Sequence, residues 1–240
     1  MKGSLEAINL EKSYHRKKVV DDISIKISKG EIVGLLGANG AGKTTTFSMI
    51  LGLIPMDSGR ILLDGEEITN LPMYWRARKG LCLLPQEPSS FRKLSVRDNL
   101  LSIKENTRDA GMNGDLEKTL KEFGLEKLSE SRAYTLSGGE RRRLEIARAL
   151  ITNPEFILLD EPFTGIDPLA ISDLQAIILS LKKRELGLLI TDHSVRETLK
   201  ITDRAYIIEK GKILKEGVPQ DLVSSEDVKR SYLGEDFDLD

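Results

Sequence analysis

One cysteine and two histidines are the whole stock of soft metal ligands in this 240-residue chain. Cys82 can close no internal disulfide, and no Cys/His metal cluster can be assembled from so few side chains. Its position in the apolar run Leu81-Cys82-Leu83-Leu84 reads as that of a small buried hydrophobe. No apolar run approaches the ~20 residues that a membrane helix needs. The opening Met1-Lys2-Gly3-Ser4-Leu5-Glu6 lacks the apolar stretch of a secretory leader. An excess of positive charge is missing too: the formal net charge is -2, which argues against a general nucleic-acid binder. These absences predict a soluble, cytoplasmic chain with no direct membrane insertion and no nucleic-acid partner. What is present is ordinary globular composition, 40% hydrophobic and 31% charged, at the upper end of length for one domain.

Residues 5–11 and 19–27 alternate apolar and polar and predict two antiparallel strands. Glu31 to Leu36 is an apolar run closed by Gly37, the pattern of a buried strand, and a helix is expected from about Gly42 to Leu51. Strands are also predicted at Ile61–Leu63, stopped by Asp64-Gly65, and at Gly80–Leu84, closed by Pro85. From about residue 87 to 151 the apolar spacing turns helical, as in Val96, Leu100, Leu101 and Ile103, or Leu116, Leu120 and Phe123. We expect a helical subdomain over 87–151, inserted into an α/β core formed by 1–86 and 152–240. The sheet resumes at Phe156–Leu159 and Leu188–Ile190, with a helix from Pro168 to about Lys183 between them. A hairpin follows around Lys210-Gly211. The acidic end, Glu235 to Asp240, reads as a frayed, solvated tail.

Gly37-Ala38-Asn39-Gly40-Ala41-Gly42-Lys43-Thr44 matches G-x-x-x-x-G-K-[ST], between a buried strand and a helix. Glycines let backbone N–H groups turn toward an anion, and the helix start adds partial positive charge. Lys43 is expected to reach the β- and γ-phosphates of a nucleotide, and the Thr44 hydroxyl to ligate Mg²⁺. Phe156-Ile157-Leu158-Leu159-Asp160-Glu161 is a buried strand ending in two carboxylates, at the sheet edge where ligands bind in α/β folds. Asp160 there suits Mg²⁺; Glu161 suits orienting or deprotonating the attacking water. No N-K-x-D sequence for guanine is present.

Ser137-Gly138-Gly139-Glu140 opens a second helix as a capping box. Two glycines in a first turn cost roughly 1 kcal/mol each in helix propensity, and what they provide is bare N–H groups, a second anion site. Arg141 to Arg143 read as a solvated helix face, because no aromatic interleaving accompanies them.

Together, Gly37–Thr44, Leu136–Glu140 and Phe156–Glu161 resemble the ATP-binding-cassette family over essentially the whole chain. That resemblance implies a P-loop cassette fold, with an antiparallel β subdomain and an inserted helical subdomain, that hydrolyses ATP with Mg²⁺. It implies two ATP sandwiched between two copies of the chain, the phosphate loop of one facing Ser137, Gly138 and Gly139 of the other. By the same resemblance Tyr14 stacks on adenine, and Asn39, Gly40, Ala41 and Thr45 join the phosphate contacts. Gln86 senses Mg²⁺ and water, Asp167 lies in the loop that crosses the dimer, and His193 contacts the γ-phosphate. Without the resemblance, His193 reads as a helix-start histidine, since Ser194-Val195-Arg196-Glu197 is itself a capping box.

A single cassette, with only about fifty residues between Gln86 and Ser137 and no heptad run, favours a transporter subunit over the fused or coiled-coil non-transport forms. Leu84-Pro85-Gln86-Glu87, Phe91-Arg92-Lys93-Leu94-Ser95-Val96, Ile190 through Thr198 and Val228 through Glu235 are similar to the ATPases of lipopolysaccharide export. Ala38 departs from that group, which usually has proline there. Branched-chain amino-acid importer ATPases are the alternative, though they typically have Glu-Gln at Asp192-His193. The implied partners are two integral membrane subunits docking near Gln86, with Phe91 and Arg92 as contacts, and the implied location is the cytoplasmic face of the inner membrane.

Overall fold

The computed structural model describes residues 3–106 and 116–239. Met1, Lys2, Asp240 and positions 107–115 of the expected helical insertion lie outside the described residues. The long hairpin forms as β1 (Ser4–Tyr14) and β2 (Lys17–Ser28), paired antiparallel. β4 (Ser58–Leu63) and the two-residue β5 (Glu66–Glu67) complete a four-stranded antiparallel sheet in the order β2-β1-β4-β5. A second, six-stranded sheet has the order β10-β9-β3-β8-β7-β6. Its members are β3 (Ile32–Gly37), β6 (Leu81–Leu84), β7 (Phe156–Asp160), β8 (Gly187–Thr191), β9 (Arg204–Glu209) and β10 (Lys212–Gly217). Its neighbours pair in parallel, except β10, which runs antiparallel along β9.

The apolar runs of the parallel strands are buried on both faces, and the two-residue period of a strand divides each run between two cores. Val33, Leu35, Phe156, Leu158, Leu189, Tyr206 and Ile208 face the antiparallel sheet and the phosphate-loop helix α1 (Lys43–Leu51). Ile32, Leu84, Ile157, Leu159, Leu188 and Ile190 face the other way. There they pack with α3 (Val96–Asn106), α4 (Leu116–Glu122), α5 (Gly138–Ile151) and α6 (Pro168–Lys183). The helical segment therefore shares one continuous core with the sheet. Among the described residues of 87–151 there are helices and short 3₁₀ turns, and the one extended pairing is an isolated bridge between Ser95 and Arg132. No described helix is long and apolar enough to cross a membrane.

One element goes unread in the sequence, and two readings change. The six-residue α2 (Met73–Arg78) carries no periodic signal and leaves Met73, Tyr74 and Trp75 exposed. Its function in the fold rests on Arg76, whose buried guanidinium donates to the carbonyls of Met49 and Ile50 at the end of α1 and to those of Thr69 and Leu71. It satisfies carbonyls that the helix itself leaves open. Cys82 faces the helical side and is only partly buried; burial nonetheless pushes its thiol up to about 11. The acidic end is not frayed. After α7 (Val195–Leu199), α8 (Pro219–Val223) and α9 (Glu226–Val228) comes a π-helical turn at Lys229–Leu233. Tyr232, Leu233, Phe237 and Leu239 then pack on Leu36, Leu199, Leu222 and Val228 in a third core. Alternating apolar side chains among the acids hold the tail down, and composition alone hides that.

Candidate functional site

The phosphate loop joins β3 to α1. An added Cβ at Gly37 would stand 2.2 Å from the Ile208 carbonyl oxygen, and one at Gly42 2.6 Å from that of Val19. The loop is thus pinned between β9 and the β1–β2 hairpin, with no room for side chains at either end. Gly42, the N-cap of α1, has φ 112° and supplies no side-chain cap, and the first turn holds no acid. The orphan amides and positive pole of α1 are left for an anion. Lys43 is buried and donates to the carbonyls of Gly37 (2.6 Å) and Ala38 (3.1 Å). Burial lowers its ammonium below the usual lysine range, opposed by Glu161 and Asp160.

One cleft is lined by Val19, Asn39, Gly40, Gly42, Lys43, Thr44, Thr45, Glu161, Thr191 and His193. Glu161 sits one residue past β7 with φ 46°, a left-handed backbone that costs a non-glycine residue roughly 1–2 kcal/mol. Its amide is held by the Thr191 carbonyl at 2.7 Å. Strain of this kind persists where the surroundings over-determine it, and here it turns the carboxylate to His193, whose Nε2 is 2.6 Å from Oε1, and to Thr164, whose hydroxyl donates to Oε2 at 3.2 Å. Asp160 ends β7, one carboxylate oxygen accepting from the Thr191 hydroxyl at 2.8 Å.

Asp192, fully buried, was missed by sequence reasoning. It accepts from the amides of Phe163 and Ser194, both at 2.8 Å, and so ties the loop after Glu161 to the helix after His193. The Ser194 side chain makes no cap hydrogen bond to α7, so the capping-box reading of His193 falls; the amide of Ser194 itself is held by Asp192.

Not every expected residue reaches this cleft. Gln86, Gly138 and Glu161 line a neighbouring one, with Arg141, Arg142, Thr164 and Gly165, and Glu161 is the wall common to both. Tyr14, 45% exposed, ends β1, opposite Lys17, on the hairpin whose Val19 lines the phosphate cleft. Ala41 is buried under the loop. Asp167 caps α6, accepting from the Leu169 amide at 2.9 Å. Ser137 forms the full capping box with Glu140, and Gly139 has a packing reason as well, since an added Cβ would stand 3.0 Å from that of Ala170.

Arg142 corrects the solvated-face reading. It is buried, paired with Glu145 at 3.1 Å, and donates to the Pro85 carbonyl at 2.8 Å, beside Gln86. Glu145 also accepts from the Ser89 amide. The turn from Pro85 to Ser89 is therefore bonded to α5. A helical projection that put Arg142 on the face of Glu145 and Ala149 would have signalled it. Phe91 is 49% exposed, under the Arg148 guanidinium, so plain core packing does not explain it; Arg92 is exposed beside it.

A phosphate loop on a central parallel strand, an acid pair at the end of a strand of the same sheet and a glycine-started helix facing a neighbouring cleft mark a P-loop nucleoside triphosphatase of the cassette kind. Comparison with known proteins agrees. Residues 20–164 match the ABC transporter family, and the chain belongs to it, as an ATP-binding, ATP-hydrolysing transporter subunit. It is 52% identical to the "Lipopolysaccharide export system ATP-binding protein LptB" of Haemophilus influenzae, covering 98% of this chain and 99% of that protein. It is 51% identical to the protein of that name in Escherichia coli K12, covering 99% and 100%. Among solved structures it resembles MJ1267, "an ATP-binding cassette of an ABC transporter" in its ADP conformation, with TM-score 0.87, 29% identity, and 98% and 100% of the two chains covered.

Proposed function

We propose that this ATPase closes as a homodimer on two ATP and so drives lipopolysaccharide extraction and export through two integral membrane subunits. The observation that carries the ATP site is the meeting of Lys43, Thr44, Glu161 and His193 in one cleft, while the Gly138 end of α5 lines another. A helix end that cannot reach the phosphate cleft of its own chain is available to that of a second copy. Leu169, 88% exposed beside Asp167, supports a partner surface there. The export reading rests on the near-full-length relatives, and the division into core and helical subdomain at 87–151 goes with it.

In this reading ATP lies on the amides of Asn39 to Thr45, with Tyr14 against the adenine. Lys43 neutralises the β- and γ-phosphates. Glu161 takes the proton of the attacking water or orients it, and His193, already in contact with Glu161, faces the γ-phosphate. The Thr44 hydroxyl is exposed to the cleft, Asp160 has a second carboxylate oxygen free of Thr191, and the Gln86 amide lies beyond Glu161. These hard oxygen donors fit Mg²⁺, which keeps few protein ligands and shares phosphate oxygens; when bound it supplies charge neutralisation. Ser137, Gly138 and Gly139 of the second copy complete the γ-phosphate cage. The membrane subunits dock at Phe91 and Arg92, which puts the protein on the cytoplasmic face of the inner membrane.

Glu161→Gln tests the mechanism. We expect retained ATP binding, turnover lower by on the order of 10²- to 10⁴-fold, and a trapped dimer on size-exclusion chromatography with ATP; normal hydrolysis removes Glu161 from its role. Identification of co-purified membrane subunits by mass spectrometry tests the export reading, and a partner set belonging to an amino-acid importer overturns it.

A further inference from the structure

β1 outruns one of its two neighbours. Its pairing with β4 ends at Glu11, opposite Ser58, the first residue of β4, while Lys12, Ser13 and Tyr14 stay paired with β2. The hairpin then reverses over two residues, His15 and Arg16, both with positive φ, as a tight hairpin turn requires. Tyr14 therefore stands half exposed at the tip of a strand that has lost one neighbour. Asp57, just before β4, takes over that edge. Its amide donates to the Glu11 carbonyl at 2.9 Å. Its carboxylate accepts from the Ser13 amide at 2.7 Å, in place of the missing strand, and from the Lys12 ammonium at 2.8 Å. The Lys12 side chain is only 12% exposed. Its ammonium lies 5.5 Å from the centre of the Tyr14 ring, within the range of a cation–π contact.

This arrangement acts on Tyr14 in two ways. An aromatic side chain at a hairpin tip has rotamer freedom that a ligand must freeze on binding, and a cation held over the ring removes part of it beforehand. The second effect is electronic. The face of an aromatic ring is negative, so an electron-rich purine stacked flat on it meets like charge. An ammonium over one face draws that density toward itself and leaves the opposite face better suited to the purine. A lysine ammonium on its flexible stem otherwise turns to water. Asp57 holds it at the ring, and the Ser13 amide in turn holds Asp57. Neither Lys12 nor Asp57 lines the cleft of Lys43 and Glu161, so the effect is on the base and not on the phosphates.

We propose that Lys12, anchored by Asp57, is a positioning residue for the adenine of ATP: its ammonium holds one face of the Tyr14 ring so that the base stacks on the other. The inference rests on the reading of Tyr14 as the adenine contact. Lys12→Met in the full chain keeps the stem and removes the charge. Two constants test it, the KM for ATP and the Ki of inorganic triphosphate, which carries the phosphates without the base. We expect the KM to rise about threefold, the size of one cation–ring contact, with the Ki and kcat unchanged. Asp57→Asn, which keeps an acceptor for the Ser13 amide and releases the ammonium, should raise the KM about twofold, part of the same contact. An unchanged KM in Lys12→Met overturns the proposal. So does a Ki that rises with the KM, because the damage then reaches the phosphate loop and the role is structural. Tyr14→Ala separates the two claims. It should raise the KM about tenfold, as for a lost base stack, and Lys12→Met added to it should raise the KM no further; a further rise means that Lys12 does not act through the ring and overturns the proposal. An unchanged KM in Tyr14→Ala overturns the reading of Tyr14 itself. A raised KM there, with an unchanged KM in Lys12→Met, overturns the role of Lys12 alone.

Discussion

Among the described residues, two helices start at glycine, α1 with Gly42 as its N-cap and α5 with Gly138 as its first residue, and the sequence offers both as anion sites. Their ends are built differently. That of α1 has no side-chain cap and no acid in its first turn, and the cation beside it is buried. In α5 the capping box is complete. The Ser137 amide and hydroxyl both donate to Glu140 Oε2, at 2.9 and 2.8 Å, and the Glu140 amide returns to Ser137 Oγ at 3.3 Å. These bonds from the Ser137 backbone and side chain hold the Glu140 carboxyl below its usual range, so a negative charge already stands at the α5 end. An open, positive end can take a free nucleotide on its own. An end already carrying a carboxylate has only the amides of Gly138 and Gly139 and the Ser137 hydroxyl to offer, and suits a phosphate brought to it by another surface. In the proposed function, the first end binds the nucleotide and the second closes over it from another copy.

Removing the cation breaks this contrast most severely. Lys43→Ala should lower ATP affinity by on the order of 100-fold or more, as expected for losing a buried charge-assisted contact, and abolish ATP-dependent dimerisation; calorimetry and size-exclusion chromatography read both. Giving α1 the acid that α5 has comes next. Thr45→Asp should stabilise the helix start by about 0.3–1 kcal/mol yet weaken ATP binding roughly tenfold or more through repulsion across a few ångströms, while the neutral Thr45→Asn changes it far less. Equal effects of the two would mean that the missing acid in α1 is not what opens that end. Glu140→Gln makes the converse change and the smallest one. The amide oxygen keeps the cap, ATP binding to the monomer stays as it is, and ATP-dependent dimerisation tightens by a few-fold at most, within the 0.3–1 kcal/mol of a helix-end charge; weaker dimerisation would show that the carboxylate helps that closure. Through this series Cys82, with its thiol raised to about 11 by burial, should stay unreactive to alkylating reagents at pH 8, which separates local loss from unfolding.

The hairpin of β1 and β2, the parallel strands β3, β6, β7 and β8, the helices α1, α5 and α6 and the hairpin of β9 and β10 could all be read from period, glycine and proline. The candidate phosphate loop with Lys43 and Thr44, and the strand end carrying Asp160 and Glu161, could be picked out too, because such a loop is a local device: its glycines and its helix start lie within eight residues. Asp192 and Arg142 were not legible in those roles. Each acts through backbone groups far away in the chain, at Phe163 and Pro85, and nothing local marks a side chain for such a bond.

By itself, then, the chain's order of residues determined the candidate phosphate loop and the type of most elements, since both follow from neighbours a few positions apart. The tertiary structure decided how each apolar strand divides between two cores and that Glu161, not Gln86, shares the cleft of Lys43. It also decided that an acidic tail is packed down behind the phosphate loop. Those outcomes depend on which surfaces meet, and burial pairs residues by distance in space, which spacing along the chain does not encode.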